Sequence, residues 1–137
     1  MIKYVAAYLS AGAAMAAIDA VWLTTMANRL YRPVIGSIMA AKPDMTAAVA
    51  FYLIYLAGVV FFAVTPALKE ASVMRALING AALGFVAYAT YDLTNQATLS
   101  VWSTRLTLID LAWGTALTAS ISAIGYMGAR WAEGRFG

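Results

Sequence analysis

Four runs of apolar residues, each long enough as a helix to cross a bilayer, constrain this 137-residue chain more than any other feature. A helix rises about 1.5 Å per residue, so roughly 30 Å of hydrocarbon takes about 20 residues. The runs fall at about 4–26, 46–64, 73–98 and 105–130. Inside lipid a backbone must satisfy its own hydrogen bonds, which leaves helices as the spanning element for runs of this length. Charged residues make up only 11% of the chain, against about a quarter in soluble domains. The expected fold class is all-α: an integral membrane four-helix bundle forming a single transmembrane domain over 1–137, in contact with the lipid bilayer.

The first run follows Lys3 and contains small residues, as a signal peptide would. It is longer than the 7–15 residues of a signal core, and Asp19 interrupts it, so it reads as a span. The connection Ala27 to Met45 carries Arg29, Arg32 and Lys42 around the apolar stretch Val34 to Met39, and Pro33 suits a first helical turn. A short interfacial helix is expected there, over about Pro33 to Ala41. Asp44 or Thr46 is placed to cap span two, and Pro66 to mark its end.

Spans two and three are joined by the short segment Thr65 to Ser72 and must be antiparallel neighbours. Gly80 and Gly84 form a G-x-x-x-G, and Gly114, Thr118 and Ser122 recur every fourth residue. Small residues at this spacing let helix backbones approach closely when lipid already solvates the larger side chains. Both sets are therefore expected to face another helix.

An even number of spans puts both termini on one side of the membrane. Lys3, Lys69, Arg75, Arg130 and Arg135 lie on the terminal side, and Arg29, Arg32, Lys42 and Arg105 on the other. Five against four is nearly balanced. Cytoplasmic termini are favoured because Arg29, Arg32 and Arg105 can be held by acids within the spans, which would make them functional charges and not topological ones.

Those acids are Asp19, Asp92 and Asp110, and all three lie inside apolar runs. A carboxylate at membrane depth costs roughly 2.5–3.5 kcal/mol on insertion scales, so it is expected to face the bundle interior and to have a task. Counted from the ends of their spans, the three fall roughly 8–11 Å below one membrane face. Helical spacing adds Trp22 to Asp19, Tyr88 and Asn95 to Asp92, and Thr107 and Trp113 to Asp110. Arg32 and Arg105 approach from the same face. These nine residues, Asp19, Trp22, Arg32, Tyr88, Asp92, Asn95, Arg105, Asp110 and Trp113, form the expected ligand-binding set. Tyr52 and Tyr55 of span two are assigned to mid-depth or the opposite level. A structural alternative reads Asp110–Arg105 and Asp19–Arg32 as salt bridges that serve only packing.

Two faint repeats accompany the cluster. Ile18-Asp19-x-x-Trp22 recurs as Ile109-Asp110-x-x-Trp113 in an antiparallel span, and Asp19 and Asp92 occupy matching positions in two successive hairpins.

Several chemistries are excluded by composition. Without cysteine there is no disulfide, thiolate metal site or thiol nucleophile, and without histidine no imidazole base or ligand. No cofactor and no metal site is expected. A net charge of +3 with no basic run makes nucleic acid an unsuitable partner.

The runs Asp19-x-x-Trp22, Tyr31-Arg32, Phe51-Tyr52-x-x-Tyr55, Tyr88-Ala-Thr-Tyr91-Asp92-Leu-Thr-Asn95 and Leu108-Ile-Asp110-Leu-Ala-Trp113-Gly114 resemble those of a family of small bacterial inner-membrane proteins known only as a domain of unknown function. The resemblance extends over essentially the whole chain. It implies a four-helix protein of the bacterial inner membrane and carries over no reaction, substrate or cofactor.

Function must then come from the polar residues. Buried carboxylates with aromatic walls suit a carrier or binding protein for a small polar or cationic solute, through charge neutralisation and cation–π contact. Crowded acids cannot all ionise, so proton coupling would follow. The chain is small for a carrier, which points to a homodimer. The alternative is a membrane enzyme acting on a lipid through carboxylates or a hard metal ion, and a second alternative is an accessory or scaffold subunit, for which the small-residue seams would suffice.

Overall fold

Four helices account for nearly all of the 137 residues described by the computed structural model: α1 (Ile2–Ile38), α2 (Met45–Glu70), α3 (Val73–Thr98) and α4 (Thr104–Phe136). Each is long and apolar enough to cross a membrane. Three of them start on side-chain caps that satisfy orphan backbone donors. Asp44 accepts from Ala47 N at 3.1 Å, Ser72 from Arg75 N at 3.2 Å and Ser103 from Leu106 N at 3.2 Å.

Three helices run further than the sequence predicts: α4 continues past Arg130 to Phe136, and α1 and α2 are extended for a shared physical reason. Span one, expected to end at Met26, continues through a π-helical turn at Ala27–Tyr31 into Arg32–Ile35 and a 3₁₀ turn at Gly36–Ile38. The expected interfacial segment is thus helical but joined to span one. Span two, expected to end near Pro66, passes through a π-helical turn at Val60–Val64 and continues to Glu70. In both cases a proline follows the wide turn by two residues. A proline inside a helix lacks the N–H that would bond the carbonyl four residues back and crowds that carbonyl. Wide turns absorb the mismatch. For Pro66 the carbonyl concerned is Phe62 O, and it accepts instead from Asn79 Nδ2 of α3 at 3.1 Å. The helix finally stops at Ala71, whose φ of 49° is left-handed.

α4 is the central helix and carries half of the 26 buried residues. Against α3 it forms an antiparallel ladder of small residues. A Cβ added to Gly80 would strike Ser122, one added to Gly84 would strike the Gly114 carbonyl and Thr118, and one added to Gly114 would strike the Tyr88 ring. The rungs are therefore 80 with 122, 84 with 118 and 88 with 114. Both small-residue sets face a helix, and that helix is each other's. One further step along the same register sets Asp92 beside Asp110.

Against α1 the register is also antiparallel. Lys3 Nζ donates to Glu133 Oε1 at 2.8 Å at one end, and the Trp22 and Trp113 rings stack at the other. Both termini therefore lie at the same end. That end is tightly packed: Ala7, Ala11, Met15, Val59, Val64, Leu117, Ile121 and Ala129 are almost fully buried. The other end is open, because no residue of α2 from Met45 to Tyr55 is buried.

Candidate functional site

The open end holds a chamber of about 360 Å³, bounded by all four helices. Its walls include Asp19 and Trp22 of α1, Tyr52 of α2, Tyr88 of α3, and Asp110 and Trp113 of α4. Ala27, Tyr31, Ile35 and Met39, each four residues after the last, also line it. One face of the continuation of α1 thus closes over the chamber. This requires a bend, since nine residues of straight helix would separate Tyr31 from Trp22 by about 13 Å and turn it to the opposite side. Instead Trp22 Nε1 donates to Tyr31 Oη at 3.0 Å, and Tyr31 Oη donates to Asp110 Oδ1 at 2.5 Å. The π-helical turn at Ala27–Tyr31 supplies the change of direction.

The aromatic wall is ordered by contact. Trp22 and Trp113 lie 4.0 Å apart between ring centroids with an interplanar angle of 8°. Tyr52 Oη donates to Asp19 Oδ2. Deeper in the bundle, Tyr55 Oη and Thr118 Oγ1 share a hydrogen bond at 2.7 Å. Each chamber carboxylate is therefore met by a tyrosine hydroxyl and by no cationic side chain.

The nine expected site residues divide. Asp19, Trp22, Tyr88, Asp110 and Trp113 meet on the chamber wall. Asp92 is wholly buried and abuts Asp110 from behind, outside the lining, and neither of its oxygens has a hydrogen-bond partner. Asn95 is half-buried and also outside the lining. Arg32 and Arg105 are exposed, and the ion pairs in the structure are Lys3–Glu133, Arg75–Glu70 and Arg130–Glu133. The expected pairs Asp19–Arg32 and Asp110–Arg105 do not form. Lysine and arginine near helix ends reach toward the headgroup water when they can, and the two acids are already met by tyrosines.

The two wall residues whose hydroxyls bond the carboxylates, Tyr52 and Tyr31, lie outside the expected set. Tyr52 was assigned to mid-depth or the opposite level, yet it sits with Asp19, because α2 begins on the face where α1 ends. Tyr31 was assigned to a connecting segment, and the fourfold spacing of Ala27, Tyr31, Ile35 and Met39 is the signal that marks its helical face. No group of three acidic side chains converges in the structure.

A family described as "Predicted membrane protein (DUF2177)" matches over residues 4–127. No curated protein and no solved structure matches the chain.

Proposed function

The chain belongs to this DUF2177 family of membrane proteins, and from that premise and the geometry of the chamber we propose that it binds, and carries across the membrane, a small cationic solute. The observation that carries the reading is the pair Asp19 and Asp110 on an aromatic chamber with no protein cation beside either. Burying uncompensated carboxylates is costly, and a bound cation offsets that cost. The faces of Trp22, Trp113, Tyr52 and Tyr88 attract the same charge, and cation–π contact in a desolvated site contributes about 2 kcal/mol. Proton coupling belongs to this reading. Acids crowded into one end of a bundle cannot all ionise, and a bound cation takes over the charge balance that a proton otherwise supplies. Residence in the bacterial inner membrane with cytoplasmic termini, and assembly as a dimer, complete the proposal.

Calorimetric titration of the detergent-solubilised protein with tetramethylammonium tests it, run in two buffers of different ionisation enthalpy. Saturable heat that differs between the buffers supports cation binding with proton release. Heat that is absent, or unchanged in Asp110→Asn, contradicts cation binding at this site.

A further inference from the structure

We propose that the physiological ligand is an amphiphile, an ammonium head on a hydrocarbon chain, which enters sideways from the lipid between α1 and α2. The inference rests on the reading of the chamber as a cation site and adds the chemical class of what occupies it.

A groove of about 640 Å³, larger than the chamber, runs between α1 and α2 and is lined almost entirely by hydrophobic residues. Gly12, Ala13 and Ala16 give it width from the α1 side, and Val49, Leu53 and Leu56 wall it from α2. Two cross-links tie its walls, Tyr8 Oη donating to the Leu53 carbonyl at 2.9 Å and Tyr52 Oη donating to Asp19. On α2 the lining runs from Met45 to Leu56, eleven residues or about 16 Å along the helix, the reach of a medium-length alkyl chain.

Groove and chamber are joined. Asp19, Leu23 and Tyr52 line both, so an apolar path from the side of the bundle ends on a carboxylate and an aromatic wall. That sequence of surfaces matches an amphiphile end to end. The charge at the inner end selects the head: Asp19 and Asp110 repel phosphate and carboxylate groups, and the arginines that would attract them are exposed outside the lining. Behind Asp110 the buried Asp92 carboxyl, with neither oxygen hydrogen-bonded, adds a further acceptor to the same end. The unburied stretch of α2 from Met45 to Tyr55 is the wall that parts to admit the head.

The test compares tetramethylammonium with octyltrimethylammonium by calorimetry in maltoside micelles, after subtracting partition into protein-free micelles. Each methylene moved from water into an apolar site strengthens binding by about fourfold, so occupancy of the groove is readable even when incomplete. Octyltrimethylammonium is expected to bind about tenfold tighter or more. Ala16→Phe fills the groove away from the chamber, and it should remove that advantage while leaving tetramethylammonium binding unchanged. Val49→Phe, on the facing wall, should do the same and guards against a folding defect in one variant. Equal affinity of the two cations overturns the inference and leaves the chamber reading standing, as does an advantage that survives both substitutions. Failure of both cations to bind the unsubstituted protein overturns both.

Discussion

The Tyr31 hydroxyl links two helices at the open end, accepting from Trp22 Nε1 while donating to Asp110. Tyr31→Phe keeps the ring and removes both bonds, which leaves Asp110 without its donor. Loss of a bond to a buried charged partner costs about 1.5–3 kcal/mol, and unfolding in mixed dodecyl sulfate and maltoside micelles should register a loss of that size. Glycine at 114 answers to a different constraint, since any Cβ there meets the Tyr88 ring, whereas at Gly58 nothing lies within 4 Å. Gly114→Ala is expected to destabilise by about 1–3 kcal/mol through overpacking. Gly58→Ala should stabilise by about 0.5–1 kcal/mol through the better helix former; equal effects at the two sites would contradict the ladder. At this scale the sequence was informative about Asp19, Trp22, Asp110 and Trp113, because intramembrane acids and the aromatics one helical turn away can be counted directly. It was less informative about Tyr52, since hydroxyl partners are chosen by depth across helices, and about Arg32 and Arg105, whose long side chains can reach either water or an acid.

Helix ends are where local pattern and tertiary structure diverge. Pro33 reads as the start of a separate helix and Pro66 as the end of one, yet each follows a wide turn that keeps the helix going, and the carbonyl freed by Pro66 is taken by Asn79 from another helix. That remedy is invisible in a local window because its donor comes from α3. The stop at Ala71 has no such remedy. A non-glycine residue in the left-handed region costs about 1–2 kcal/mol, so Ala71→Gly should stabilise the protein by about 1 kcal/mol in the same unfolding assay, and a destabilised variant would contradict the cap. Between helices, the two small-residue sets were each legible as packing seams, but their mutual register was not. Once Gly80 meets Ser122 and Gly84 meets Thr118, fourfold spacing carries Asp92 to Asp110 without any attraction between the two acids. The echo between Asp19-x-x-Trp22 and Asp110-x-x-Trp113 also acquires a meaning: antiparallel helices present the two tryptophans to each other as a stacked pair.

For the molecule as a whole, the packing has a direction, dry and close at the terminal end and open where the chamber lies. Four spans and the Lys3–Glu133 pair put both termini on one side, and the chain contains no cysteine, so single cysteines report cleanly. Ile2→Cys and Phe136→Cys should react with an impermeant maleimide from one side of the membrane, and Ala41→Cys and Ser100→Cys from the other; labelling of all four from one side would break the four-span arrangement. The number of helices long enough to span was readable from hydropathy alone, because bilayer thickness sets the length of apolar run each one needs. The chamber was not, because it arises where α2 fails to pack, and lipid gives helices no hydrophobic reason to close a gap. The central claim is that this chamber receives a cation against Trp22 and Trp113. Those two are half of the chain's 4 tryptophans, so replacing Trp102 and Trp131 by Phe leaves the stacked pair as the only indole emitters. Titrating that variant with tetramethylammonium should give a saturable change in tryptophan emission that disappears when Asp110→Asn is added. Emission that never changes, or that changes equally with and without the Asp110 carboxylate, would contradict the account.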